Sequence, residues 1–134
     1  PQGDITLEQL FSIEPFGNHI VTHEMSLKEI KALILNRFNR EDHAIDLFVS
    51  PGNYTIIRDQ QGNGTDVLIQ DRNGKPLVDE QIYKVALNNY VSVDYDFPDR
   101  GKGQHTDISV VNAMIKFVQS HQPVQPTLRR TYIK

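Results

Sequence analysis

The sequence contains no cysteine and no tryptophan, and only two methionines. Without thiols there is no disulfide framework and no thiolate nucleophile or metal ligand. That absence assigns no compartment, because exported proteins without cysteine are common. No apolar run approaches the roughly 20 residues that a membrane helix requires. Positive charge is in short supply too: 14 Lys and Arg stand against 17 Asp and Glu, a net charge of −3. A broad basic field for a nucleic-acid polymer is therefore missing. A single nucleotide is not excluded, since it needs only local donors and a stacking surface. No serine sits in a Gly-x-Ser-x-Gly elbow. No signal peptide is visible. The chain opens at Pro1, without an initiator Met, and runs at once into Gly3-Asp4-Ile5-Thr6, which reads as a piece trimmed from a longer precursor.

What is present suits one soluble domain, residues 1–134, able to close a core without covalent staples. Of its residues, 38% are hydrophobic and 23% charged, the balance of a globular chain rather than a disordered one. Thr6 is placed to cap a short helix from Leu7 to about Ile13, with Leu7, Leu10 and Phe11 on one face. Pro15 and Gly17 end it, and His19 to Met25 reads as a strand. Ser26-Leu27-Lys28-Glu29 matches the capping box that opens a helix, whose stripe is Leu27, Ile30, Ile34 and Phe38.

From Ile45 to about Asn89 the helical period disappears. Leu47-Phe48-Val49, Tyr54-Thr55-Ile56-Ile57, Val67-Leu68-Ile69 and Ile82 to Leu87 are apolar runs separated by turn signals. Among these signals Asn73-Gly74 predicts a type I′ hairpin. This middle third reads as an antiparallel meander. Tyr90 to Gln104 reads as a polar loop, after which Thr106 or Asp107 caps a last helix bearing Ile108, Val111, Ile115 and Val118. Antiparallel strands packed with about three helices define an α+β fold.

The order of several segments then carries a resemblance. Gly3-Asp4-Ile5-Thr6, Glu14-Pro15-Phe16-Gly17-Asn18 and Met25-Ser26-Leu27-Lys28-Glu29-Ile30 come first. Asn73-Gly74-Lys75-Pro76-Leu77, Tyr83 to Tyr90, and Asp96-Phe97-Pro98 follow. In this order and spacing, from Gly3 to about Val118, they resemble the C-terminal domain of the 5′-nucleotidase family. That family includes 5′-nucleotidases, UDP-sugar hydrolases and 2′,3′-cyclic-nucleotide phosphodiesterases, mostly extracytoplasmic.

The resemblance implies a division of labour. A covalently linked N-terminal metallophosphoesterase domain, absent from this chain, would carry two divalent metal ions and the hydrolytic chemistry. The present chain would hold no catalytic residue, no metal and no cofactor, and would be inactive alone. Its task would be to grip a nucleotide or nucleoside. The base would lie between two aromatic rings, Phe16 and Tyr90; Gly17 would shape the turn, Asn18 would meet the base edge and Asp96 the ribose. The sequence departs from the family pattern in two places. A Gly-Gly-Asp-Gly loop is replaced by Val93-Asp94-Tyr95-Asp96-Phe97, so Asp94 competes with Asp96. A segment that supplies a phosphate-gripping Arg would lie upstream of Pro1. The altered loop also suits an alternative, a non-catalytic scaffold or interaction domain of the same fold that has lost its ligand.

Each candidate has a plainer reading. Phe16 could be core, Tyr90 a strand-end residue closing the core, and Asp94 and Asp96 solvated turn acids. Gly17-Asn18-His19 mimics a phosphoesterase metal motif, but Ile20 follows where an acid belongs. His19 and His23 on one strand would stand about 13 Å apart at ~3.3 Å per residue, too far for one ion with ligands at ~2 Å. His105-Thr106-Asp107 suits helix capping, and His43 and His121 suit the surface.

Overall fold

The computed structural model describes residues 3–94, 103–125 and 132–133. Among these the elements run α1 (Leu7–Ile13), β1 (His19–Ser26), α2 (Leu27–Phe38), β2 (Gly52–Arg58), β3 (Gly64–Asp71), β4 (Ile82–Asn88), α3 (Asn89–Asp94), β5 (Gln104–Ser109), α4 (Val110–Ser120) and β6 (Tyr132–Ile133). The strands form two three-stranded sheets, ordered β4-β1-β5 and β3-β2-β6. Pairs β1–β5 and β2–β3 are antiparallel, whereas β2–β6 is parallel. The α+β class is as the sequence indicates. The described residues fall into two compact units, one of 3–23, 85–94 and 103–125, the other of 24–84 and 132–133.

The second unit is organised by α2. Ser26 and Glu29 form the expected reciprocal cap: Ser26 N donates to Glu29 Oε2 at 2.8 Å, and Glu29 N donates to Ser26 Oγ at 3.3 Å. Two first-turn donors are thereby satisfied before the helix's own bonds begin. Spacings of seven and four then place Leu27, Ile34 and Phe38 on the side that packs Tyr54 and Ile56 of β2 and Val67 and Ile69 of β3. Asn39 ends the helix and pairs its amide with the backbone of Gly64, donating to the carbonyl at 2.9 Å and accepting from the N–H at 2.7 Å. Its side chain stands in for a neighbouring strand where β3 begins. Arg37 grips Asp42 through two bonds of 2.7 and 2.9 Å and also reaches Asp46 at 2.7 Å. The guanidinium beside Asp42 holds its carboxyl down at about 2, from an ordinary value of 3.8. Lys31, bonded to Asp66 at 3.0 Å, lowers that carboxyl as well.

Two turns in this unit share one plan. Asp59-Gln60-Gln61-Gly62-Asn63 joins β2 to β3, and Asp71-Arg72-Asn73-Gly74-Lys75 follows β3. In each, the Asp carboxylate accepts from the N–H groups two and four residues on, at 2.8–3.0 Å. The Asp carbonyl accepts from the Gly N–H, and the Asp N–H donates to the carbonyl of the fifth residue. Gly62 and Gly74 sit at φ +93° and +79°, a region that costs a side chain dearly and glycine nothing.

The second turn corrects the hairpin expectation. Asn73 does not share the positive φ that a type I′ turn needs at both central positions, because the Asp71 carboxylate fixes a different turn. The arm that returns is only Lys75–Leu77, bonded through Leu77 N to Ile69 O at 3.0 Å. The meander is broken as well: β4 joins β1, not β3. Leu47-Phe48-Val49 makes no strand. There Phe48 is exposed, and the Leu47 carbonyl accepts from the Tyr54 hydroxyl.

The first unit contains α1, capped as expected, with Gln9 N donating to Thr6 Oγ1 at 3.2 Å and Thr6 N to Gln9 Oε1 at 2.9 Å. Of its apolar face only Leu10 is buried; Leu7 and Phe11 are exposed. Val21 of β1 and Val111 of α4 are buried too, and α1 packs against α4. Two expectations fail here. Thr106 and Asp107 do not open a helix but lie in β5, paired through His19↔Ser109, Val21↔His105 and Thr22↔Gln104. Thr106 spends its hydroxyl on Ile20 O at 2.7 Å, and Ser109 is the true cap of α4, accepting from Asn112 N at 3.2 Å. Three capable cap residues stand close together, and pairing with β1 selects the last. In addition, α3 occupies the start of what reads as loop from Tyr90 onward.

Candidate functional site

Phe16 sits on the turn from α1 to β1. Glu14 shapes that turn with one oxygen, Oε1, which accepts from Phe16 N at 3.3 Å and from Asn18 Nδ2 at 2.8 Å. Gly17 completes it at φ +68°. The Phe16 ring is 83% exposed and takes no part in the core. Asn18 is half-buried, and its amide is oriented by Glu14. Its carbonyl accepts from Val110 N at 2.9 Å, which pins the end of the turn to the start of α4.

Tyr90 lies in the first turn of α3 and is 54% exposed. Asn88 caps that helix, its Oδ1 accepting from Val91 N at 2.8 Å. Asn89 Oδ1 accepts from His19 N at 2.6 Å. Ser92, on the inner side of α3, is 7% exposed and shares a 2.9 Å hydrogen bond with Nε2 of His23, itself 5% exposed. Gly103 lies so close that a Cβ there would come within 2.4 Å of the His23 ring. The imidazole is thus packed as a structural group of the first unit, on the buried face of β1 with Val21 and Met25.

Of the residues singled out from sequence, Phe16, Gly17, Asn18 and Tyr90 all belong to the first unit, and the segments that carry them are joined directly by the Asn89–His19 bond. Asp96 lies outside the described residues. Asp94 closes α3 by its backbone. Among the described residues, no three His, Asp or Glu side chains gather into a group that could hold a metal ion; His19 is exposed and His23 is turned inward. No helix among them is long and apolar enough to cross a membrane. Sequence reasoning missed Asn89, Ser92 and the inward role of His23. The alternation Val21, His23, Met25 was the available signal for His23; nothing local marked its partner, 69 positions away.

This α+β arrangement of two small sheets with capped helices is the fold of the 5′-nucleotidase C-terminal domain. The family of that description matches residues 1–96, and the chain belongs to it. Two solved structures share the fold. One is a 5′-nucleotidase precursor from Thermus thermophilus, 24% identical with a TM-score of 0.77 over 99% of this chain. The other is an NAD nucleotidase from Haemophilus influenzae, 18% identical with a TM-score of 0.72 over 98%. The chain spans only 28% and 27% of their respective lengths. No curated protein matches it.

Proposed function

We propose that this chain is the nucleoside-gripping part of an exported 5′-nucleotidase-type phosphoesterase, whose hydrolytic domain is covalently linked on the N-terminal side. The observation that carries the reading is the pair of exposed rings, Phe16 and Tyr90, on two segments of one unit tied together by Asn89 and His19. Stacking against an aromatic ring is worth about 1–3 kcal/mol per base. Asn18, oriented by Glu14, offers amide donor and acceptor groups in one plane to a base edge. Asp96 or Asp94 would accept from the ribose hydroxyls. Export is supported by the precursor form of the Thermus relative.

In the whole protein, two divalent ions on the linked domain would supply Lewis acidity and an activated water. The residues of this chain would contribute positioning: a base held between rings fixes where the attached phosphate can reach. The test is to titrate adenosine and AMP into the chain and follow its NMR spectrum. Shifts should centre on Phe16, Asn18 and Tyr90, and Phe16→Ala should weaken binding about tenfold or more. A spectrum unmoved at millimolar ligand would instead leave a scaffold of this fold that has lost its ligand.

A further inference from the structure

Two neighbouring asparagines do different work. Asn88 turns back to cap its own helix, accepting from Val91 N at 2.8 Å. Asn89 reaches away from that helix to accept from His19 N at 2.6 Å. The His19 N–H belongs to the peptide unit that follows Asn18, and the carbonyl of that unit accepts from Val110 N at 2.9 Å. A trans peptide is planar, with its C=O and N–H directed oppositely. This one is therefore held on both edges, by Asn89 from α3 and by the first residue of α4. Gly17 and Phe16 lie just before the clamped unit, and Tyr90 directly follows Asn89.

We infer that Asn89 is a positioning residue for nucleoside binding: its side-chain carbonyl sets the spacing between the turn that carries Phe16 and the helix that carries Tyr90. This rests on the nucleoside reading given above. The spacing matters because a flat base gains from both faces only if both are in van der Waals contact. A gap of roughly 0.5–1 Å already forfeits a quarter to a half of that attraction. His23 and Ser92 hold the same helix from within, but they are buried, and changing them strikes at folding. Asn89 is half-buried at the start of α3, and its role is separable.

The experiment uses the full chain with adenosine as the probe and NMR titration as the readout. Asn89→Leu keeps bulk and removes the acceptor; Asn89→Asp keeps an acceptor at Oδ1. Asn89→Leu should weaken adenosine roughly tenfold, while Asn89→Asp retains most of the affinity. Asp59→Ala in the β2–β3 turn serves as the control, lowering stability without lowering affinity. Should Asn89→Leu bind as the unaltered chain does, or should Asn89→Leu and Asn89→Asp lose affinity equally, the positioning role is overturned. An unaltered chain that ignores adenosine sinks the nucleoside reading itself, and this inference with it. If Asn89→Leu fails to fold, hydrogen exchange in the unaltered chain decides: adenosine should slow exchange of the His19 N–H several-fold, and an unchanged rate overturns the proposal.

Discussion

At the scale of single residues, partners distant in sequence fix groups that no local turn or cap secures. Ser92 and His23 are both buried and satisfy each other. Ser92→Ala should therefore cost about 1–3 kcal/mol, the penalty for leaving a buried polar group unpaired. Urea unfolding followed by circular dichroism measures it, and an unchanged midpoint would show the bond to be dispensable. Asp42 yields a prediction about acid. Its carboxyl is held down at about 2 by the Arg37 guanidinium, so the folded chain binds that proton less readily than the unfolded one. The contribution is complete above the ordinary carboxylate value and is lost as pH falls from there towards about 2. Lys31 and Asp66 act in the same direction. Asp42→Asn should flatten the decline of the urea midpoint in that window; an equally steep decline would remove Asp42 from the cause. The Phe16 turn was legible in the sequence because Pro, Gly and Asn signal it locally. The His23–Ser92 and Asn89–His19 contacts were not, since no local pattern encodes a bond across 69 or 70 positions.

At the scale of elements, local chemistry was readable wherever one residue's side chain answers the next turn's backbone. Thr6 with Gln9 and Ser26 with Glu29 announce their helices, and both boxes form. Reading failed where two local answers competed. Thr106, Asp107 and Ser109 can each cap a helix, and only the ladder to β1 decides between them. Likewise, Asn73-Gly74 signals a turn, but the Asp71 carboxylate settles its kind. The paired Asp-x-x-Gly turns predict a matched response. Gly62→Ala and Gly74→Ala each place a side chain at positive φ, at a cost of about 1 kcal/mol or more. The two losses should be similar in urea unfolding. A loss at one site and none at the other would show that the shared bonding does not determine the energetics.

At the scale of the whole molecule, the class of fold was legible and the strand order was not. The spacing of apolar runs announces strands, but the placement of β4 beside β1 joins segments far apart in the chain, which no local pattern encodes. The two units differ in how the chain supplies them. Every member of the main core cluster, from Leu27 to Ile69, falls within Glu24–Lys84. That segment expressed alone should keep a dispersed NMR spectrum and a cooperative melt. A collapsed spectrum would show that its core depends on the rest of the chain.

The uninterrupted course of Glu24–Lys84 also sets an order of events on the ribosome. Domains condense as their sequence emerges, so α2 and the β2–β3 hairpin can close before α3, β5 and α4 exist. The ring-bearing unit begins upstream of that segment, yet it waits for Val110 to arrive before the Phe16 turn is clamped. Phe16 is thus translated early and seated late, and a stall in synthesis between α2 and α4 would leave that exposed ring without its support.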